Sequence, residues 1–190
     1  MKRFVVLLFI ILSGCRGAKY SVYSSNFYFD SYPGKWVLNE IEDDYKSRLY
    51  KGAYEHFSKH LKDSLIVLGD VRHKGDGIMD FKIPFEPTAN QLKAIKQSTN
   101  CDYLINIKAT TLKDEKEHIS LAVDEKSTIE ENAAKVELNI YDLNSLELVS
   151  GAYVIGVDKR EISRSDIVGL MTTPESIKIN GLWKLLKKYR

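Results

Sequence analysis

A predicted β-hairpin in the second half of the chain most constrains its fold. Val136, Leu138 and Ile140 alternate with polar side chains, and residues 142–145 supply turn-forming side chains. Alternation of this kind is typical of a strand with one buried face, and the turn leads into a return strand over residues 146–157. The sequence therefore predicts a β-sheet built around this hairpin.

Other segments show the periodicities of helices and of buried strands. Apolar residues at three- and four-residue steps predict helices over 36–61 and 177–189, and Thr88 is a predicted N-cap of a helix that ends near Asn100. The sequence also predicts strands at residues 65–68 and 103–111. The order helix, strand, helix, strand, hairpin, helix predicts an α/β (α+β) fold, a single mixed sheet with helices packed on it.

The start of the chain has the three parts of a secretory signal. Lys2 and Arg3 precede an apolar run over residues 4–12, and Ser13 and Gly14 follow it. The apolar run has about nine residues, far fewer than the roughly 20 that a membrane-spanning helix needs. We expect residues 1–14 to be removed.

The sequence Leu12-Ser13-Gly14-Cys15 resembles the bacterial lipobox. The resemblance implies cleavage by signal peptidase II between Gly14 and Cys15, with diacylglycerol on the Cys15 thiol and an acyl chain such as palmitate on the new amino group. We expect residues 15–34, rich in Ser, Tyr and Gly, to be a tether, and residues 35–190 to form one domain. No aspartate follows Cys15, which by resemblance to sorting rules implies the outer membrane, with the domain facing the periplasm.

Charge and cysteine content limit the classes of function. The chain has 28 basic and 26 acidic residues, and removal of Lys2 and Arg3 leaves 26 of each. A formally neutral domain lacks the positive field of a nucleic-acid-binding protein, so we expect no nucleic-acid partner. Lipidation of Cys15 leaves Cys101 without a disulfide partner, and we expect Cys101 to be a small buried hydrophobic residue.

Candidate metal-binding and catalytic groups are few. His56 and His60 lie four residues apart on the first predicted helix, a spacing that can chelate one metal ion. The zincin pattern is absent and no third ligand is predictable, so packing of the histidines is favoured over a metal site. The acidic run 42–44 and the glycine-rich run 69–77 fit no calcium or phosphate motif. We expect no cofactor and no enzymatic activity.

Two charged segments allow more than one interpretation. Residues 113–132 are strongly charged and predict a polar hairpin or a mobile loop. The final helix carries Trp183, Lys184, Lys187 and Lys188. It can lie on an anionic membrane or on a partner, but a closing helix that covers the sheet is favoured.

Three stretches resemble a group of bacterial envelope domains. They are the first helix leading into residues 65–68, the segment 101–105 (Cys-Asp-Tyr-Leu-Ile), and the strand 135–142 with its return at 148–151. The pattern is similar to the amino-terminal domain of TolB, the curli secretion lipoprotein CsgG and the lipoprotein activator LpoB. The first strand of that family is matched only by the short stretch 26–30. The resemblance implies an adaptor that binds other envelope proteins.

The prediction is therefore a membrane-anchored envelope lipoprotein that acts as a non-enzymatic adaptor or binding module. Its partner would be another envelope protein or a cell-wall component. Two alternatives stay open: an envelope hydrolase or metal-dependent enzyme, and a subunit of an oligomeric secretion or scaffold assembly. The oligomeric state and the identity of the partner are not predicted.

Overall fold

The structure, a computed structural model, describes residues 17–42, 46–68, 82–114, 128–162 and 171–190. In these ranges the strands are β1 (Lys19–Tyr23), β2 (Trp36–Leu38), β3 (Leu65–Val67), β4 (Tyr103–Lys113), β5 (Thr128–Asp142) and β6 (Glu147–Ile162), and the α-helices are α1 (Lys46–Leu61), α2 (Ala89–Thr99) and α3 (Pro174–Leu186). The strands form one mixed sheet in the order β1-β6-β5-β4-β2-β3. The predicted α/β fold with a single mixed sheet is confirmed.

Two helices cover one face of the sheet from edge to edge. α1 buries Leu49, Ala53 and Phe57, which lie four residues apart and therefore share one side of the helix. α3 lies beside α1 and buries Leu182 and Leu185 in the same core. We call this the covered face, and it holds the larger of the two hydrophobic clusters.

On the opposite face, a described helix covers one end of the sheet. There α2 packs Leu92 and Ile95 against Val37 and Leu104, near the β2 end of the sheet. The Cys101 thiol is buried in this smaller cluster, as expected, and burial raises its pKa. In the described ranges, helices therefore lie on both faces of the sheet around β2 and on one face elsewhere.

The predicted helix over residues 36–61 is wrong at its start. Trp36–Leu38 is β2, which runs parallel to both β3 and β4. A parallel strand with both faces covered has a continuous apolar sequence. The apolar residues of β2 also fit the spacing of the helix that follows, so the sequence pattern did not separate the two elements. Residues 39–42 stay beside β4, since the Asn39 and Glu42 N–H groups donate to the carbonyls of Ile105 and Ile107. The possible strand at 26–30 is not formed, since Phe27 makes only an isolated bridge with Tyr189 and Phe29–Ser31 is a 3-10 helix.

The predicted tether over residues 15–34 is corrected, because most of it is folded. β1 pairs antiparallel with β6 from Lys19 opposite Val157 to Tyr23 opposite Tyr153. Further along, the Phe27 N–H donates to the Lys188 carbonyl at 2.8 Å. The polar composition suggested a linker, but burial of large aromatic rings outweighs it. That aromatic cluster contains Phe27, Phe29, Tyr32, Trp36, Tyr103 and Tyr189.

Asp102 joins four parts of the molecule. Its carboxylate accepts hydrogen bonds from the Lys35 N–H at 2.9 Å and from Lys96 Nζ at 2.8 Å, and from the Asn144 side chain at 3.4 Å. The Lys96 ammonium and the Lys35 N–H lower the pKa of Asp102. Gly34 adopts a φ of 141°, and a Cβ there would lie 2.5 Å from the Asp102 carboxylate. This junction gives Asp102, directly before β4, a structural role.

The predictions of the α2 caps and of the hairpin turn, which depend on short-range sequence patterns, are confirmed. Thr88 caps α2 in a reciprocal capping box with Gln91, and Asn100 ends the helix in the left-handed conformation. In the hairpin turn, Asp142 Oδ1 accepts the N–H groups of Asn144 and Ser145 at 2.7 and 3.2 Å. The predicted helix, strand and hairpin boundaries here differ from the observed ones by a few residues.

The charged segment 113–132 is partly strand. β4 ends at Lys113, and β5 begins at Thr128, whose pairing partner on β6 is Ile162. Residues 115–127 lie outside the described residues, as do the predicted signal segment 1–14 with Cys15, the run Asp43–Asp44 and the glycine-rich run 69–77. Within the described ranges, no helix has the length and apolarity needed to span a bilayer.

Candidate binding surface

Part of the sheet opposite α1 and α3 is not covered by any described helix. Alternation along β1, β6 and β5 places Tyr23, Tyr153, Ile155, Lys135 and Glu137 on this side. Tyr23 lies beside Tyr153, which lies beside Glu137, and Ile155 lies beside Lys135. We call these five residues the open face.

The open face combines aromatic rings with one ion pair. The Tyr23 and Tyr153 rings stack with their centroids 4.6 Å apart, although Tyr23 is 52% exposed. Lys135 Nζ lies 4.8 Å from the centroid of the Tyr153 ring and also pairs with Glu137. The stack and the lysine fix the ring positions, which lowers the entropic cost of using them in a contact.

A buried polar network sets the limit of the open face toward α2. The Asn106 side chain donates to the carbonyls of Pro84 and Phe85, each at 3.1 Å. The Tyr141 hydroxyl donates to the Phe85 carbonyl at 3.3 Å, and the Asn39 side chain donates to the Ile83 carbonyl at 3.2 Å. The segment 82–87 therefore lies across β2, β4 and β5, and the open face begins beyond it.

The histidine pair has a packing role in this structure. The imidazoles of His56 and His60 lie 4.8 Å apart, as the helical spacing predicts. His56 Nε2 donates to the Tyr189 carbonyl at 2.8 Å, which leaves only Nδ1 free as a ligand. Burial lowers the pKa of His56, which favours the neutral ring. Within the described ranges, no group of three or more His, Cys, Asp or Glu side chains is placed to hold a metal ion.

A second surface lies on α3, on the covered side of the sheet. Asn180, Trp183, Lys184 and Lys187 recur at three- and four-residue steps and form one exposed stripe, which we call the α3 stripe. An open cavity of about 410 Å³ lies beside it, and its lining residues are Gly17, Ala18, Tyr20, Thr172, Asn180, Trp183, Lys184 and Lys187. The other side of α3 closes the core, as predicted, and buries Leu182, Leu185 and Leu186.

The tyrosines divide by position in a way that the sequence did not indicate. Tyr20, Tyr32 and Tyr50 pack against the main core, whereas Tyr28 and Tyr54 are about as exposed as Tyr23. The sequence does not indicate the open face, because the polar composition of residues 15–34 predicts a tether where the structure has β1. The run Tyr-Ser-Val-Tyr in β1 is rich in strand-forming residues and was the one available signal.

Comparisons with known proteins do not place the chain in a family. No family model matches it, and no curated protein matches it. It is similar to the PelC dodecamer from Paraburkholderia phytofirmans, with a TM-score of 0.45 at 13% identity over 90% of this chain and 96% of that chain. It is also similar to the lipoprotein GNA1162 from Neisseria meningitidis, with a TM-score of 0.37 at 8% identity over 70% of this chain and 88% of that chain. At these values the similarities assign no function.

Proposed function

We propose that this chain is a lipid-anchored protein of the bacterial cell envelope that binds another envelope protein and catalyses no reaction. Cys15 is the anchor, and the domain that follows is the binding module. The observation that carries the binding role is the open face, where two stacked tyrosines lie on a part of the sheet that no described helix covers. The resemblance to the TolB, CsgG and LpoB domains stays a prediction.

The composition of the open face supports a protein partner. Tyrosine is enriched at protein interfaces because it buries a large area with few rotatable bonds and retains a hydroxyl for hydrogen bonding. Ile155 adds an aliphatic contact, and Lys135 and Glu137 place one charge of each sign beside the rings. A surface of mixed charge suits a protein partner better than a uniformly charged polymer.

The arrangement of polar groups supports a non-enzymatic role. Asn106 and Tyr141 donate to backbone carbonyls, and His56 does the same, so these groups hold the fold together. The Cys101 thiol is fully buried and its pKa is raised, which disfavours the reactive thiolate. Each of these side chains has a structural partner rather than a position in a catalytic arrangement.

The anchor is tested by fractionation of cells that produce the Cys15→Ala variant. The wild-type chain is expected to sediment with membranes, whereas the variant should be found in the supernatant or retain its leader. Acyl chains hold a protein firmly when two or more are present, because each buried methylene contributes about 0.8 kcal/mol. A Cys15→Ala protein that is processed at the same site and still sediments with membranes would refute the anchor.

The binding role is tested by quantitative capture from detergent-extracted envelopes. We expect one envelope protein to bind the wild-type chain and to be lost from the Tyr23→Ser, Tyr153→Ser double variant. The matched control is Tyr28→Ser with Tyr54→Ser, which removes two tyrosines of similar exposure from other surfaces. Equal capture by both double variants would exclude the open face as the binding surface.

A further inference from the structure

We propose that the α3 stripe rests on the anionic phospholipid headgroups of the membrane that holds the Cys15 anchor. The inference depends on the proposed lipid anchor and adds an orientation and a lipid class to it. It also assigns a role to Trp183, Lys184 and Lys187, which the open face does not use. Three observations carry it: the short linker, the position of its end, and the side chains found there.

The linker between the anchor and the fold is very short. β1 begins at Lys19, so residues 16–18 alone separate it from Cys15. A residue spans at most about 3.6 Å, so the Cα atoms of Cys15 and Gly17 cannot be more than about 7 Å apart. A tether over 15–34 would have let the domain move far from the lipid, whereas this linker keeps the nearby surface at the headgroups.

The surface at the end of this linker is the α3 stripe. Gly17 and Ala18 line the same cavity as Trp183, Lys184 and Lys187. The lysines therefore lie on the side of the domain from which the anchor extends. A lysine that comes within about one Debye length of an anionic leaflet, roughly 8 Å at physiological salt, is attracted to it with only partial screening.

The side chains of the stripe suit a lipid interface. Trp183 is 41% exposed, and its ring lies over Gly52 of α1, where a Cβ would be only 3.3 Å from the ring. Lys184 Nζ lies 4.9 Å from the centroid of the Tyr20 ring, which holds the ammonium beside the cavity. In the part of the chain that the structure describes, neither Lys184 nor Lys187 forms an ion pair. Tryptophan and lysine together are typical of membrane-water interfaces.

The contact is with headgroups and not with the acyl region. The apolar side of α3 is buried in the core, so the helix cannot insert it into lipid as an amphipathic surface helix would. The side that remains carries Asn180 and the two lysines around one tryptophan. Because the sheet separates α3 from the open face, this orientation turns the open face away from the bilayer.

The test uses the lipidated mature protein in vesicles of phosphatidylcholine, with or without phosphatidylglycerol, that contain brominated lipids as quenchers. Trp36 is almost fully buried, so the fluorescence of the Trp183→Phe variant measures the background from Trp36. Subtracting this background from the wild-type signal gives the quenching of Trp183. We expect quenching of Trp183 in the vesicles with phosphatidylglycerol. The Lys184→Gln, Lys187→Gln variant should shift the docked-to-undocked equilibrium about 30-fold toward the undocked state.

The control variant is Lys82→Gln with Lys93→Gln, which removes two exposed lysines on the α2 side of the sheet. It should be quenched like the wild type. Flotation of the vesicles separates the possible failures. If the wild-type protein floats but Trp183 is not quenched, the headgroup contact is overturned and the anchor is intact. Equal quenching of Trp183 in the wild type and in the Lys184→Gln, Lys187→Gln variant would have the same meaning. Lipidated protein that does not float would overturn the anchor as well.

Discussion

The two faces of the sheet differ in what their side chains contact. On the covered face, α1 and α3 bury nearly every residue that points toward them, and Gly156 allows α3 to approach β6 closely. On the open face, Tyr23 and Tyr153 stack on each other and stay accessible. The same strands supply both faces, so the contrast comes from where the described helices pack. Substitutions on the covered face should therefore affect stability, and substitutions on the open face should affect binding.

The largest expected effect is on stability, from the Gly156→Ala substitution. An added Cβ would overlap the Ile177 side chain of α3 and lie 2.7 Å from the Tyr20 ring. We expect a loss of about 3 kcal/mol in the free energy of unfolding, measured by urea denaturation, because the helix must move outward. The matched control is Gly151→Ala on the opposite side of β6, where the nearest atom would be 3.3 Å away. Its effect should stay within about 0.5 kcal/mol, and equal losses would remove the contrast between the faces.

A smaller effect on stability is expected from Asp102, with a defined pH dependence. Hydrogen bonds from Lys96 and Lys35 lower its pKa in the folded state, so its contribution is complete above the unfolded pKa of about 3.9. That contribution disappears as pH falls through the folded-state value. The Asp102→Asn variant should lose about 1–2 kcal/mol at pH 7 and approach the wild type at lower pH. A difference in unfolding free energy that stays constant from pH 7 to pH 2 would contradict this.

The ion pair of the open face is expected to contribute less to stability than Asp102 does. Glu137 pairs with Lys135 within one strand, and Glu137→Gln should cost about 0.5 kcal/mol in unfolding free energy at pH 7. Both variants can be measured in one urea series. A loss for Glu137→Gln as large as that for Asp102→Asn would show that the open face is also needed for stability.

Tyr153→Ser is expected to have a modest effect on stability and a large effect on binding. It removes the stacking with Tyr23 and the contact with Lys135, for a cost of about 1 kcal/mol in unfolding free energy. Thermal unfolding should therefore remain cooperative, while capture of the partner is lost. An unfolded or aggregated variant would show that Tyr153 is a core residue, in contradiction to the proposed role.

The elements predicted from the sequence are those whose signals are local. The capping box of Thr88, the left-handed Asn100 and the Asp142 turn lie within a few residues of the structure they determine. Strands β1 and β2 were missed because their partners are distant: Lys19 pairs with Val157, and Trp36 pairs with Tyr103. Neither segment alternates clearly enough to be recognised without its partner.

The candidate site was predicted even less completely, for a related reason. The proximity of His56 and His60 follows from helical spacing, but the role of His56 depends on the Tyr189 carbonyl, which lies 133 residues further along the chain. The open face depends on which strands the helices leave uncovered, and a sequence pattern does not determine this. Cys15 and Gly14 lie outside the described residues, and their role stays a prediction from the lipobox resemblance.

One measurement tests the central contrast most directly: photo-crosslinking in living cells from the two sides of the sheet. A photoreactive phenylalanine derivative is placed at Tyr153 of the open face in one strain and at Trp183 of the α3 stripe in another. We predict that the Tyr153 position forms an adduct with one envelope protein and that the Trp183 position forms adducts with phospholipid. Lipid adducts from Tyr153, or a protein adduct from Trp183, would contradict the account.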